Sequence, residues 1–198
     1  MKVFISGGCK NGKSLYAQNI ALAEPSRPLY YIATMKRADE EDDKRIAMHK
    51  LERAGCGFET IEQSKRIEDI LHKCDPKGSF LLDSLTALLA NEMFTAATGV
   101  SHNAVIRIIE GLKKIARSVE NIVIVSDNIY SDAAVYDALT EEYRKSLAMI
   151  DREAAKLSDL VIEVSYSGLI FHKTVNRSKE IDDTDFWRIL SGETGIRP

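Results

Sequence analysis

The chain lacks the features that mark several whole classes of protein. Its cysteines are only three, Cys9, Cys56 and Cys74. An odd, sparse set without CxxC spacing excludes a disulfide framework and a zinc site, and suits reduced thiols. No apolar window approaches the roughly 18 residues of a membrane span. The opening run Val3-Phe4-Ile5 is too short for the core of a signal peptide, so a soluble, cytoplasmic protein with no membrane partner is expected. Positive charge is not in excess either: 27 Lys and Arg face 30 Asp and Glu, a net charge of −3. Without a basic surplus no nucleic-acid partner is expected. Internal repeats, low-complexity tracts and linkers are also missing.

What the chain does have is alternation. Short apolar runs at Val3-Phe4-Ile5, Leu29-Tyr30-Tyr31-Ile32, Phe80-Leu81-Leu82 and Ile122-Val123-Ile124-Val125 read as buried strands. Phe58 to Ile61 reads as a shorter one. Between them, helical patterns cover 13–23, 39–53, 67–74, 85–94, 104–119 and 140–157. Leu160 to Val164 and Leu169 to Phe171 suggest a closing hairpin around Ser167-Gly168. Strands separated by helices imply βαβ units and a mostly parallel sheet flanked by helices. The 198 residues are sized for one domain. Residues 1–173 read as that α/β domain. Residues 174–198 read as a polar appendage or tail, anchored by Phe186-Trp187 and Ile189-Leu190.

Gly7-Gly8-Cys9-Lys10-Asn11-Gly12-Lys13-Ser14 satisfies G-x-x-x-x-G-K-[ST], between an expected strand and an expected helix. Glycines let the backbone curl and turn its N–H groups onto phosphates. The helix N-terminus adds the positive end of its dipole. Lys13 is expected to reach the β- and γ-phosphates of a nucleoside triphosphate, ATP or GTP, and Ser14 to offer its hydroxyl to Mg²⁺. Magnesium also needs a carboxylate at a strand end. Asp83, after Phe80-Leu81-Leu82, is the candidate, with Asp127 as rival and helix capping as the plainer role for Asp83. Cys9 lies inside the loop, where packing is the plain account of it.

Arg45, His49 and Arg53 recur at i, i+4 and i+8, on one face of the expected 39–53 helix. Such a face is ordinarily a solvated charged surface. Its chemical alternative is a nucleophilic imidazole, kept neutral between two guanidiniums that would also hold phosphates. His72, His102 and His172 carry no comparable pattern.

Taken in order, these landmarks resemble one family. They are the early P-loop, Tyr31-Ile32-Ala33-Thr34 ending the second strand, the R-I-x-x-H-x-x-x-R run at Arg45, His49 and Arg53, the segment Phe58 to Glu62, and Leu82-Asp83-Ser84-Leu85-Thr86 running on to Asn91. The chain resembles the bifunctional adenosylcobinamide kinase / adenosylcobinamide-phosphate guanylyltransferase family of cobalamin biosynthesis, over about residues 1–173. The resemblance implies a P-loop α/β domain of the RecA-like kind, often a trimer. It implies phosphorylation of adenosylcobinamide, a corrinoid, and then transfer of GMP from GTP onto the product through a guanylylated histidine, here His49. It implies nucleotide contacts from Thr34, Arg45 and Arg53 beside the P-loop. The second half departs from the pattern. Asp127-Asn128-Ile129-Tyr130 stands where the family usually has Asn-Glu-Val-Gly. Tyr143-Arg144 keeps the family's aromatic–Arg pair, but Asp151 and Arg152 replace its usual Asn-Gln. A diverged small-molecule kinase, or a nucleotide-dependent regulatory protein without guanylyl transfer, is the alternative.

Overall fold

A computed structural model describes residues 1–36, 47, 54–95, 99–166 and 168–174. Seven strands form one sheet: β1 (Lys2–Gly7), β2 (Leu29–Ala33), β3 (Phe58–Glu62), β4 (Ser79–Asp83), β7 (Asn121–Asp127), β8 (Leu160–Ser165) and β9 (Gly168–Lys173). Their order is β3-β2-β4-β7-β1-β8-β9. Every pairing is parallel except β8 with β9, which is the expected hairpin. A small antiparallel pair, β5 (Phe94–Thr95) and β6 (Gly99–Val100), stands apart. Phe94, expected to close a helix, therefore begins a strand.

The period-2 alternation of strands splits the apolar runs between two faces. Phe4, Tyr30, Ile32, Phe80, Leu82, Ile122 and Ile124 point to one face, where they pack with Leu85, Leu88 and Leu89 of α2 (Leu85–Met93), Ile108, Leu112 and Ile115 of α3 (Ala104–Ser118), and Leu147 and Ile150 of α4 (Ala138–Leu157). Val3, Ile5, Tyr31, Leu81, Val123 and Val125 point to the other and pack with Ala17, Ile20 and Ala21 of α1 (Lys13–Ala23). Both faces are covered, which is why the central strands read as unbroken apolar runs. Each fully buried Leu or Ile of this kind contributes about 1.5–3 kcal/mol.

Two helix starts show the local chemistry. Ser84 caps α2, its hydroxyl accepting from the Ala87 N–H at 3.4 Å. Asp137 caps α4, its carboxylate accepting from the Leu139 and Thr140 N–H groups. The helix expected over 67–74 is instead a short 3₁₀ turn, Ile67–His72, entered through Arg66 in the left-handed region. Six residues ahead of an Asp-Pro turn give too few i→i−4 bonds to hold an α-helix. The helix expected over 39–53 lies almost wholly outside the described residues, as do residues 175–198. No helix among the described residues is long and apolar enough to cross a membrane.

Candidate functional site

Parallel strands gather their C-terminal ends along one edge, and the candidate residues lie there. The register pairs Gly7 with Asp127, and Asp83 with Val125. Strand β7 is thus inserted between the strand feeding the P-loop and the strand ending in Asp83. Asp127 stands beside the loop, and Asp83 stands one strand further out.

The loop is built from within. Gly12 has φ +86° and Lys10 has φ +56°, both left-handed. That conformation is free for Gly12 and admits the loop's sharp turn into α1. Gly7 is needed for another reason: a Cβ there would sit 2.5 Å from the Val164 carbonyl oxygen. Gly8 faces open space, so no neighbouring side chain or backbone dictates it. Asn11 holds the loop to the sheet, its Nδ2 donating to the Val164 oxygen at 2.6 Å while its Oδ1 accepts from the Lys13 N–H at 3.2 Å. The N-cap, Gly12, brings no side chain, so apart from the Lys13 N–H held by Asn11 the start of α1 has no capping group among the described residues. Cys9 is exposed.

Lys13 is nearly buried at 7% exposure. Its ammonium lies 2.5 Å from Asp127 Oδ1 and donates to the Gly8 carbonyl at 3.1 Å. The P-loop cation is therefore held by the loop and by the neighbouring strand end, at the place where phosphates would take it over. Asp127 is fixed in turn, its N–H donating to the Thr86 hydroxyl at 2.9 Å.

Asp83 does not cap α2, because Ser84 does. Its carboxylate accepts instead from the Tyr31 hydroxyl at 3.0 Å. Ser14, Asp83 and Asp127 offer one alcohol and two carboxylates along the same edge, the hard oxygen donors that suit Mg²⁺. The residues fit that ion. Among the described residues no cluster of three or more His, Cys, Asp or Glu could hold a metal by itself, so a cation here would be shared with phosphates and water.

Thr34 is fully buried. Its hydroxyl donates to the Ser84 carbonyl and accepts from the Ser84 N–H, both at 2.7 Å, and its carbonyl accepts from Asn91 Nδ2 at 2.8 Å. These bonds fasten β2 to the β4–α2 junction and hold Asp83 in register. Arg45, His49 and Arg53 lie outside the described residues. His102 and His172 pair at the surface with Glu142 and Glu163.

Sequence reasoning passed over a buried polar cluster behind the loop. Asp151 of α4 is 2% exposed, and its Oδ2 accepts from the Tyr130 hydroxyl at 3.0 Å. Burial pushes its carboxyl up to about 7, and the charge of Asp127 adds to the rise. The Tyr130 hydroxyl opposes the shift. So does the Ser126 hydroxyl, although no well-formed hydrogen bond joins it to Asp151 Oδ1. Burial first, and the nearby carboxylates second, also raise the Tyr130 and Tyr143 hydroxyls. The Asn→Asp departure from the family pattern was the signal available; a charge on the inner face of an amphipathic helix should have drawn notice.

The fold and the loop define the class: a P-loop α/β domain, with Lys13 of the loop paired to Asp127 at the edge of a mostly parallel sheet. The family model for cobinamide kinase / cobinamide phosphate guanyltransferase matches residues 3–171, and the chain belongs to that family. No curated protein matches it. Solved structures similar in chain path include the flagellar accessory protein FlaH from Methanocaldococcus jannaschii (14% identity, 87% of this chain and 78% of that one, TM-score 0.45). A KaiC-like protein from Pyrococcus horikoshii OT3 is similar at 10% identity, 90% of this chain and 82% of that one, TM-score 0.49. An ATPase from the type III secretion system of pathogenic bacteria is similar at 13% identity, 83% of this chain and 51% of that one, TM-score 0.44.

Proposed function

We propose that this protein phosphorylates adenosylcobinamide with a nucleoside triphosphate and then transfers GMP from GTP to the product through His49. The observation that carries the kinase half is the Lys13–Asp127 pair at the mouth of the P-loop. When a triphosphate enters, Lys13 turns to the β- and γ-phosphates, and its place beside Asp127 is vacated. The acceptor hydroxyl attacks the γ-phosphorus, the bond to the β-phosphate oxygen breaks, and the nucleoside diphosphate leaves. The hydroxyl proton passes to the freed Asp127 carboxylate. Magnesium held by Ser14 and Asp83 would supply charge neutralisation across the phosphates. Loop N–H groups and Lys13 share that task, and such preorganised charge is the main catalytic lever in phosphoryl transfer.

The guanylyl half rests on the spacing of Arg45, His49 and Arg53 and on family membership. A neutral His49 nitrogen attacks the α-phosphorus of GTP, and pyrophosphate leaves between the two guanidiniums. The phosphate of the kinase product then attacks the phosphoramidate, and His49 is released. The test is GTP labelled at its α-phosphate, followed by denaturing electrophoresis. The wild type is expected to retain acid-labile label and His49→Ala none, with kinase turnover surviving the substitution better than guanylyl transfer. Label on His49→Ala, or none on the wild type, would leave a P-loop kinase without the covalent step.

A further inference from the structure

The chain leaving β7 starts at the phosphate site. The Asn128 N–H donates to the Gly7 carbonyl at 2.9 Å, directly after the Asp127 that pairs with Lys13. Residues 128–137 then run without regular structure to the cap of α4. A ten-residue surface connection is ordinarily free to move. This one is braced, and a single guanidinium does most of the bracing.

Arg144, on the second turn of α4, is 7% exposed. Its Nε donates to the Ile129 carbonyl at 2.9 Å, and one Nη donates to Asp132 Oδ1 at 2.8 Å. The other Nη pairs with Glu141. Its carbon centre lies 4.5 Å from the centroid of the Tyr136 ring. Asp132 closes the circuit, its Oδ2 accepting from the Tyr136 hydroxyl at 2.9 Å. At the near end, the Ser131 hydroxyl donates to Asn128 Oδ1 at 2.6 Å. A buried guanidinium is costly unless every donor is matched, and the planar fork fixes partners in direction as well as distance. Three separated points of the loop, at 129, 132 and 136, are thereby tied to one helix.

The loop held in this way, with the first turn of α4, presents apolar groups to solvent. Val135 is 98% exposed, Leu139 is 41% exposed and Tyr136 is 39% exposed. An apolar tip held outward by an ion-pair network is a surface suited to an apolar partner. The tip continues from the phosphate site, so what covers it should be the molecule that meets the γ-phosphate. On the reading above that is cobinamide, whose broad macrocycle is too large to enter a P-loop and must rest beside it while its hydroxyl reaches in.

We infer that the 128–137 loop and the first turn of α4 form the acceptor platform of the kinase reaction, with Val135, Tyr136 and Leu139 against the corrinoid, and that Arg144 is the positioning residue that preorganises the loop. A loop ordered before binding loses less freedom on binding, so the brace acts on acceptor affinity. The inference rests on the proposed kinase activity.

The test measures cobinamide phosphorylation at saturating ATP, ATP affinity by direct titration, and hydrogen exchange over 128–137. The variants are Arg144→Gln, Asp132→Asn and Val135→Ser. Asp132 and Val135 are surface positions, so those two proteins fold even if Arg144→Gln does not. Arg144→Gln and Asp132→Asn are expected to speed exchange in the loop and raise KM for cobinamide about tenfold with little change in kcat, the signature of lost uniform binding. Val135→Ser is expected to raise KM severalfold without changing exchange. ATP affinity should stay within about twofold in all three. An active wild type whose Asp132→Asn and Val135→Ser variants keep the same KM overturns this inference and leaves the kinase standing. So does a fall in ATP affinity in step with KM. A wild type that does not phosphorylate cobinamide overturns the proposed function, and the platform with it.

Discussion

The Lys13 ammonium and the Asp127 carboxylate lie 2.5 Å apart, bridging the P-loop and the end of the adjacent strand. The pair is nearly shielded from water on the lysine side, where the side chain is 8% exposed, so it is stronger than a surface ion pair. It holds the P-loop cation at the loop mouth, where the proposed kinase reaction would have it exchange Asp127 for phosphates.

Replacing Lys13 by Ala removes the cation that the proposed reaction sets against the β- and γ-phosphates. Nucleotide turnover is expected to fall by at least about 10²-fold with the fold retained. Steady-state kinase rates and a circular dichroism spectrum on the same preparation check it. A folded Lys13→Ala protein with near-normal rates contradicts the site.

Asp83 and Asp127 are both strand-end carboxylates, but they differ in partner. Asp127 is engaged by the cationic Lys13, whereas the partner that Asp83 has among the described residues is the neutral Tyr31 hydroxyl, which leaves its charge the freer for a cation. Asp83→Asn is expected to shift the magnesium dependence of turnover to higher concentration by more than Asp127→Asn does. Magnesium titrations of both variants decide it, and the opposite ranking moves the metal role to Asp127.

Thr34→Val is nearly isosteric but leaves the Ser84 N–H without its buried acceptor, while the Ser84 carbonyl keeps only the Leu88 N–H. A loss of about 1–3 kcal/mol in stability is expected. Asp83 should be displaced with the junction, so magnesium dependence weakens as well. Urea unfolding beside a magnesium titration separates this from a direct nucleotide contact, which would leave stability untouched and weaken nucleotide binding instead.

Asp151 gives the protein a pH-dependent term with a definite sign. Its carboxyl is held at about 7 in the fold, against about 3.9 in an unfolded chain. Between those values the folded state binds the extra proton, so stability falls as pH rises from about 4 to about 7 and levels off above. The total effect is on the order of 4 kcal/mol. Asp151→Asn keeps an oxygen for the Tyr130 hydroxyl and removes the titration. Urea midpoints at pH 5, 6, 7 and 8 should decline for the wild type, relative to a flatter series for the variant. Parallel slopes in the two proteins rule this origin out.

The local features of the chain were legible in its sequence because each is written over a few consecutive residues. The P-loop needs its glycines and Lys13 at fixed spacing. The central strands announce themselves as apolar runs, and Asp83 sits at the end of one. The α/β class follows from their alternation with helices. Local reasoning also reached its limit locally: over 67–74 the apolar spacing suited a helix, but too few residues separate Arg66 from the Asp75-Pro76 turn to sustain one.

The tertiary structure decided the rest, because the deciding contacts join residues far apart in the chain. Strand order cannot be read from periodicity, yet it is what inserts β7 between β1 and β4 and sets Asp127 opposite Gly7. Thr34 read as the end of a strand beside a nucleotide; only its approach to Ser84, fifty residues on, makes it a clasp. In the sequence Arg144 stood out only as half of the family's aromatic–Arg pair, and Asp151 only as a departure from its usual Asn, with no sign that either is buried. Packing α4 against the sheet buried both, and burial is what turned one carboxyl into a group that titrates near neutrality and one guanidinium into the brace of a loop.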